Sequence, residues 1–155
     1  MNAWLMWLKM PLVAISLLVA SSTVVRAALG EGADSIVADQ QEMGGKIERI
    51  PNAGYTTNEI LVPSGTLIRE YVSPGGRVFA VSWRGPTTPN LANLLGSYFQ
   101  QIQAAALAHR PGLSGPATVV AGNVIFHSGG HMGNFWGRAV VSSLVPEGVD
   151  EADLK

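Results

Sequence analysis

The chain has no cysteine. That absence excludes disulfides, thiolate metal sites and cysteine nucleophiles together. Charge is scarce as well: charged residues make up 14% of the chain, and no run of lysines or arginines occurs. Without a basic stripe, nucleic acid is excluded as a partner. The phosphate-cradling patterns Gly-x-x-x-x-Gly-Lys and Gly-x-Gly-x-x-Gly are missing, and so are His-Glu-x-x-His and Gly-x-Ser-x-Gly. There is no solenoid repeat and no low-complexity segment.

What is present begins with an export signal. Met1 to Met10 carries one charge, Lys9, and Leu12 to Ala20 is an apolar run. Ser21, Ser22 and Thr23 follow, and Val25-Arg26-Ala27 puts small or aliphatic residues where a signal peptidase reads. The layout predicts a signal peptide over residues 1–27, cut after Ala27, and a single domain over 28–155. The apolar run is shorter than the ~20 residues of a comfortable membrane span, so the membrane is met only through this segment before cleavage. The expected destination is the periplasm or the exterior. Cleavage removes Lys9 and Arg26 and leaves eight Lys and Arg against eleven Asp and Glu, a net charge of −3. With no disulfide, a domain of this size is held by its core, which can bury ~65–70% of the unfolded surface.

The mature chain reads as α+β. Asp34 or Ser35 caps a short helix through Met43, and Gly44-Gly45 stops it. Lys46 to Ile50 is a short strand. Tyr55–Val62, Thr66–Ser73 and Arg77–Arg84 form an antiparallel meander around the Pro63-Ser64-Gly65 and Pro74-Gly75-Gly76 turns. Three-residue loops ending in a left-handed glycine place Val62 opposite Thr66 and Ser73 opposite Arg77. Strict alternation then gives one face Thr57, Glu59, Leu61, Leu67, Arg69, Tyr71, Phe79, Val81 and Trp83, and the other Asn58, Ile60, Ile68, Glu70, Ala80 and Ser82. Glu59 and Arg69 become a cross-strand structural pair beside Val81.

Thr88 and Pro89 start the main helix, whose stripe is Leu91, Leu94, Leu95, Tyr98, Ile102 and Ala105, and Arg110-Pro111-Gly112 ends it. The stripe is expected to cover the aromatic face, with Tyr71, Phe79 and Trp83 beneath it. Ala117–Phe126 and Trp136–Val145 read as two more strands, His127–Phe135 as a Gly-rich turn, and Pro146–Lys155 as a frayed acidic tail. The fold is thus an antiparallel sheet, three-strand meander plus C-terminal strands, packed against one principal helix.

Candidate chemistry concentrates in the Gly-rich segment. His127 and His131 flank Ser128-Gly129-Gly130, where two imidazoles at a turn can hold a metal, but no third ligand follows. His109 suits a helix C-terminus. A serine nucleophile at Ser128 needs a base and an orienting acid, yet strand neighbours such as His127 and Ser128 point to opposite faces. Glu59 and Glu70 also face opposite ways, which excludes a paired-carboxylate glycosidase. Phe135 and Trp136 cannot both face one core, so one of them is available to a partner or ligand. The candidate binding residues are therefore His127, His131, Phe135, Trp136 and Arg138. No cofactor is called for.

The segments Ser64–Ser73, Val78–Pro86 and Leu94–Phe99, with Gly130-His131-Met132, Gly137-Arg138-Ala139 and Pro146-Glu147-Gly148-Val149, resemble the domain of unknown function 2844 family. Arg69-Glu70-Tyr71 and Trp83-Arg84-Gly85-Pro86 are the specific pieces. The resemblance spans the mature chain and implies an exported protein of Gram-negative bacteria with no assigned activity; it carries over no catalytic residue. The expected function is non-enzymatic binding or assembly in the cell envelope, with an envelope protein or small ligand as partner. The alternatives are a small hydrolase or metal-dependent enzyme using His127 and His131, and an assembly component that lends an edge strand.

Overall fold

The computed structural model describes residues 29–32, 46–109 and 116–154. The signal segment, the Asp34–Met43 helix and the Arg110-Pro111-Gly112 stop lie outside them. Seven strands form one antiparallel sheet: β1 (Lys46–Asn52), β2 (Tyr55–Leu61), β3 (Leu67–Val72), β4 (Val78–Gly85), β5 (Ala117–Ala121), β6 (Val124–His131) and β7 (Asn134–Val141). Their spatial order is β1-β2-β3-β4-β7-β6-β5. The first four strands run as a meander. The chain then crosses one face as α1 (Leu91–Leu95), a 3-10 turn (Gly96–Tyr98) and α2 (Phe99–His109) before the last three strands return to pair β7 with β4.

Both three-residue turns close as their sequence dictates. The Val62 N–H donates to the Thr66 carbonyl at 3.0 Å, and the Ser73 N–H to the Arg77 carbonyl at 2.9 Å. Gly65 and Gly76 take φ of 84° and 74°, the left-handed region where a side chain would be strained. The segment expected as one strand over Ala117–Phe126 is two, because Gly122-Asn123 makes a tight hairpin turn between Ala121 and Val124. The segment expected as a turn over His127–Phe135 is mostly strand. β6 runs on to His131, and the reversal is only Met132-Gly133.

The meander's faces depart from strict alternation at one place. Val72 opposes Val78, but Tyr71 opposes Ala80, so Phe79 is an extra residue in β4. This β-bulge keeps Phe79 on the Tyr71 side and turns every later residue of β4 over. Val81 and Trp83 therefore join Ile60, Ile68 and Glu70, while Ala80 and Ser82 join Arg69 and Tyr71. The helix packs on the Trp83 side, where Leu94, Leu95 and Ile102 are buried with Ile60, Ile68, Val81, Val124 and Phe126. The expectation that the helix covers Tyr71, Phe79 and the Glu59–Arg69 pair is thus corrected: Trp83 alone of the three aromatics lies beneath it.

Helix entry is also displaced from Thr88. Asn90 is the cap, its Oδ1 accepting from the N–H groups of Ala92 at 3.1 Å and Asn93 at 3.3 Å. Thr87 is tied back to the β2–β3 turn, where the Thr66 Oγ1 donates to its carbonyl at 2.8 Å, so the helix begins after that anchor.

The C-terminal tail does not fray. Leu144, Val145, Val149 and Leu154 pack with Tyr55, Tyr71, Phe79, Ala80 and Val140 as a second core on the face away from the helix. Leu154 is 1% exposed. Leu29 and Gly30 are tied down as well. The Gly30 N–H donates to the Val78 carbonyl at 2.8 Å, and fully buried Leu29 donates to the Leu94 carbonyl at 3.2 Å.

Candidate functional site

On the face away from the helix, the strand register lines up one residue from each of the seven strands. Across the sheet the row reads Glu48, Glu59, Arg69, Ser82, Arg138, His127, Thr118. Neighbouring strands lie ~4.8 Å apart, so Arg69 and Arg138 flank Ser82 at about one strand spacing each. Alternate residues of a strand share a face, which adds Arg84 and Trp136 as the next row up. The row below holds Tyr71, Ala80 and Val140, and the C-terminal tail covers it. The tail meets the charged row at Arg138, while Arg69 and His127 stay half-buried and Arg84 and Trp136 in the next row are exposed.

Where the tail ends, a cavity of about 440 Å³ opens, lined by Arg69, Ser82, Arg84, His127, Trp136, Arg138 and Leu154, with Trp83 and Gly137 contributing from the sheet. Three arginines and a histidine line it, and among the described residues no aspartate or glutamate does. This is a local inversion of sign in a chain that carries net negative charge.

The charges are not equivalent. Arg69 Nε donates to Glu59 Oε1 at 2.6 Å, with side-chain exposures of 30% and 24%. That pair is half-buried and in part screened by water. Arg138 Nη1 donates to the carbonyls of Glu151 at 2.6 Å and Leu154 at 3.0 Å, which pins the end of the tail. Its Nε and Nη2 are the donors left for the cavity. Arg84 is exposed at the rim. His127 Nδ1 hydrogen-bonds Thr118 Oγ1 at 3.1 Å, which leaves Nε2 for whatever enters. At the floor, the Ser82 hydroxyl lies 3.2 Å from the Tyr71 hydroxyl. Burial pushes the Tyr71 phenol above its ordinary value, opposed by that hydrogen bond and by the Arg69 charge.

Trp136 forms the aromatic wall. A Cβ on Gly129 would stand 2.8 Å from its Cζ2, so the indole lies against the bare backbone of β6. The ring is nonetheless 41% exposed. On the other face, Gly137 makes room for Trp83 in the same way, a Cβ there standing 2.0 Å from the Trp83 ring.

Of the sequence candidates, the fold brings His127, Trp136 and Arg138 together, with Arg69 beside them. Phe135 lies on the helix side, lining a smaller groove of about 200 Å³ with Trp83, Thr88 and Leu91. His131 stands at the exposed end of β6, its Nδ1 3.3 Å from the Met132 carbonyl, four residues and so roughly 13 Å along the strand from His127. The two histidines thus do not share the hairpin tip. Ser128 opposes Gly137 on the helix side, away from His127. No group of three His, Asp or Glu among the described residues is placed to hold a metal ion.

The sequence reading did not single out Ser82, Arg84 or Leu154. Strict alternation puts Ser82 and Arg84 on the face of Ile60, Ile68 and Glu70, and only the bulge at Phe79 brings both round to Arg69. Leu154 is an apolar residue in an acidic stretch, and that contrast was its one sequence signal.

The family described as protein of unknown function (DUF2844) matches residues 25–154, and the chain belongs to it. No curated protein and no solved structure matches the chain.

Proposed function

We propose that this member of the DUF2844 family is an exported, non-enzymatic binding protein of the bacterial cell envelope, and that its ligand seat is the cationic cavity beside Trp136. The observation that carries the reading is the cavity's lining: Arg69, Arg84, Arg138 and His127, with no acid among the described residues that line it, next to a part-exposed indole. Such convergence of a few polar groups on an aromatic wall is the usual make-up of a small-molecule site. Export is supported by the layout of the 1–27 segment.

The hydrolase alternative needs Ser128 and His127 on one side of the sheet, and they lie on opposite sides. Strand lending is disfavoured at β1, an outer strand that carries Lys46, Glu48, Arg49 and Pro51, residues that block edge pairing. Immobilised wild-type protein and Trp136→Ala are exposed to an envelope extract, and retained small molecules and proteins are compared. Material held by the wild type and lost by the variant is the expected result. Equal retention by both refutes the seat.

A further inference from the structure

We infer that the cavity takes a small molecule that joins an oxyanion, carboxylate or phosphate, to a flat aromatic ring. The inference rests on the seat proposed above and names its ligand class.

Glu59 offsets Arg69, while among the described residues Arg138 meets neutral tail carbonyls through one nitrogen and no carboxylate. Arg84 lies on β4 two residues beyond Ser82, which opposes Arg138 on β7, so the two arginines are diagonal cross-strand neighbours. Diagonal neighbours are ~7–8 Å apart at the backbone, within reach of two long side chains converging on one group. A planar oxyanion matches the guanidinium fork. His127, directly opposite Arg138, adds Nε2 as a further polar contact.

The ring follows from the rest of the lining. Trp136 has one side against Gly129 and part of its surface open to the cavity. A bare oxyanion would leave the indole wet, and a neutral ring would leave two arginine charges unanswered. A volume of about 440 Å³ holds both parts together, near the lower end of the ~300–1,000 Å³ of small-molecule sites.

The test is isothermal titration of the purified protein with naphthalene-2-carboxylate, 2-naphthyl phosphate, the neutral naphthalene-2-methanol and inorganic phosphate. One of the two naphthyl anions is expected to bind at least about tenfold more tightly than the alcohol, and which one separates carboxylate from phosphate recognition. Arg84→Glu, an exposed position, is expected to weaken that anion about tenfold or more with an unchanged melting temperature. Trp136→Ala weakens the anions and the alcohol alike, and raising salt weakens only the anions.

The inference is overturned if the alcohol binds as well as the anions, if Arg84→Glu binds like wild type, or if neither anion binds. Inorganic phosphate binding as tightly as the naphthyl anions removes the ring from the class. Should these fail while an envelope ligand is still retained in a Trp136-dependent way, the ligand class falls and the seat stands. Should that retention fail too, the seat falls with it.

Discussion

Leu154→Ala puts the C-terminal tail to the test. A frayed acidic end would make the substitution silent, within about 0.5 kcal/mol, as surface changes usually are. The structure instead buries Leu154 to 1% exposure against Tyr71, Phe79, Ala80 and Val140. Buried Leu→Ala changes cost ~2–5 kcal/mol, and sites able to collapse lie at the low end. A residue near the end of the described chain can relax, so about 2–3 kcal/mol is expected here. There is also a ceiling. The tail can undock as a local unit, and the loss cannot exceed its own docking free energy, which comes from Val145, Val149, Leu154 and the two Arg138 hydrogen bonds. For a domain of this length, 2–3 kcal/mol lowers Tm by roughly 6–12 °C. Urea denaturation of both proteins measures the difference, with an unchanged m value showing that the same surface is exposed. A midpoint equal to wild type would refute the docked tail and with it the lower wall of the cavity.

Further predictions concern the helix cap, the ion pair and the buried phenol. Asn90→Ala should cost about 1 kcal/mol by losing the cap to Ala92 and Asn93, while Thr88→Ala should cost much less; the reverse order would return the cap to Thr88. A double-mutant cycle on Glu59 and Arg69 should give a coupling of only about 0.5–1 kcal/mol, because both side chains are a quarter to a third exposed. A coupling above about 2 kcal/mol would mean that water does not reach the pair. The folded Tyr71 phenol titrates above its unfolded value, so between the two the unfolded chain binds fewer protons and stability falls as pH rises. Above about pH 10 each further unit should cost wild type up to about 1.4 kcal/mol more than it costs Tyr71→Phe. Parallel stability curves for the two proteins up to pH 11 would count against the buried phenol.

Much of the fold was legible because it is local. Pro63-Ser64-Gly65 and Pro74-Gly75-Gly76 set two hairpins whose ends meet as their turn type requires, and Glu59 falls opposite Arg69. The stripe of Leu91, Leu94, Leu95 and Ile102 is a period-3.6 pattern with one side to bury. Less legible was the second hairpin pair. Gly122-Asn123 carried a turn signal, but the Val-rich run around it read as one strand, and the glycines of Ser128–His131 disguised a strand as a turn. Those glycines are explained by packing: Gly129 admits the Trp136 ring, and at Gly130 a Cβ would meet the Asn134 carbonyl at 2.3 Å.

The sequence by itself determined the α+β class, the meander's turns and the pairing of β2 with β3, because each rests on residues close along the chain. Only the tertiary structure decided which face is which. One extra residue, Phe79, reverses β4 from Ala80 on, and strand alternation carries no mark of it, since Phe79 and Ala80 are as apolar as their neighbours. The reversal sends Trp83 under the helix and brings Ser82 and Arg84 to the open face. Long-range pairing of β4 with β7 then sets Arg138 and Trp136 beside them, and the docked tail closes the lower side. The cavity is assembled from strands far apart in sequence, so no local pattern in the chain announces it.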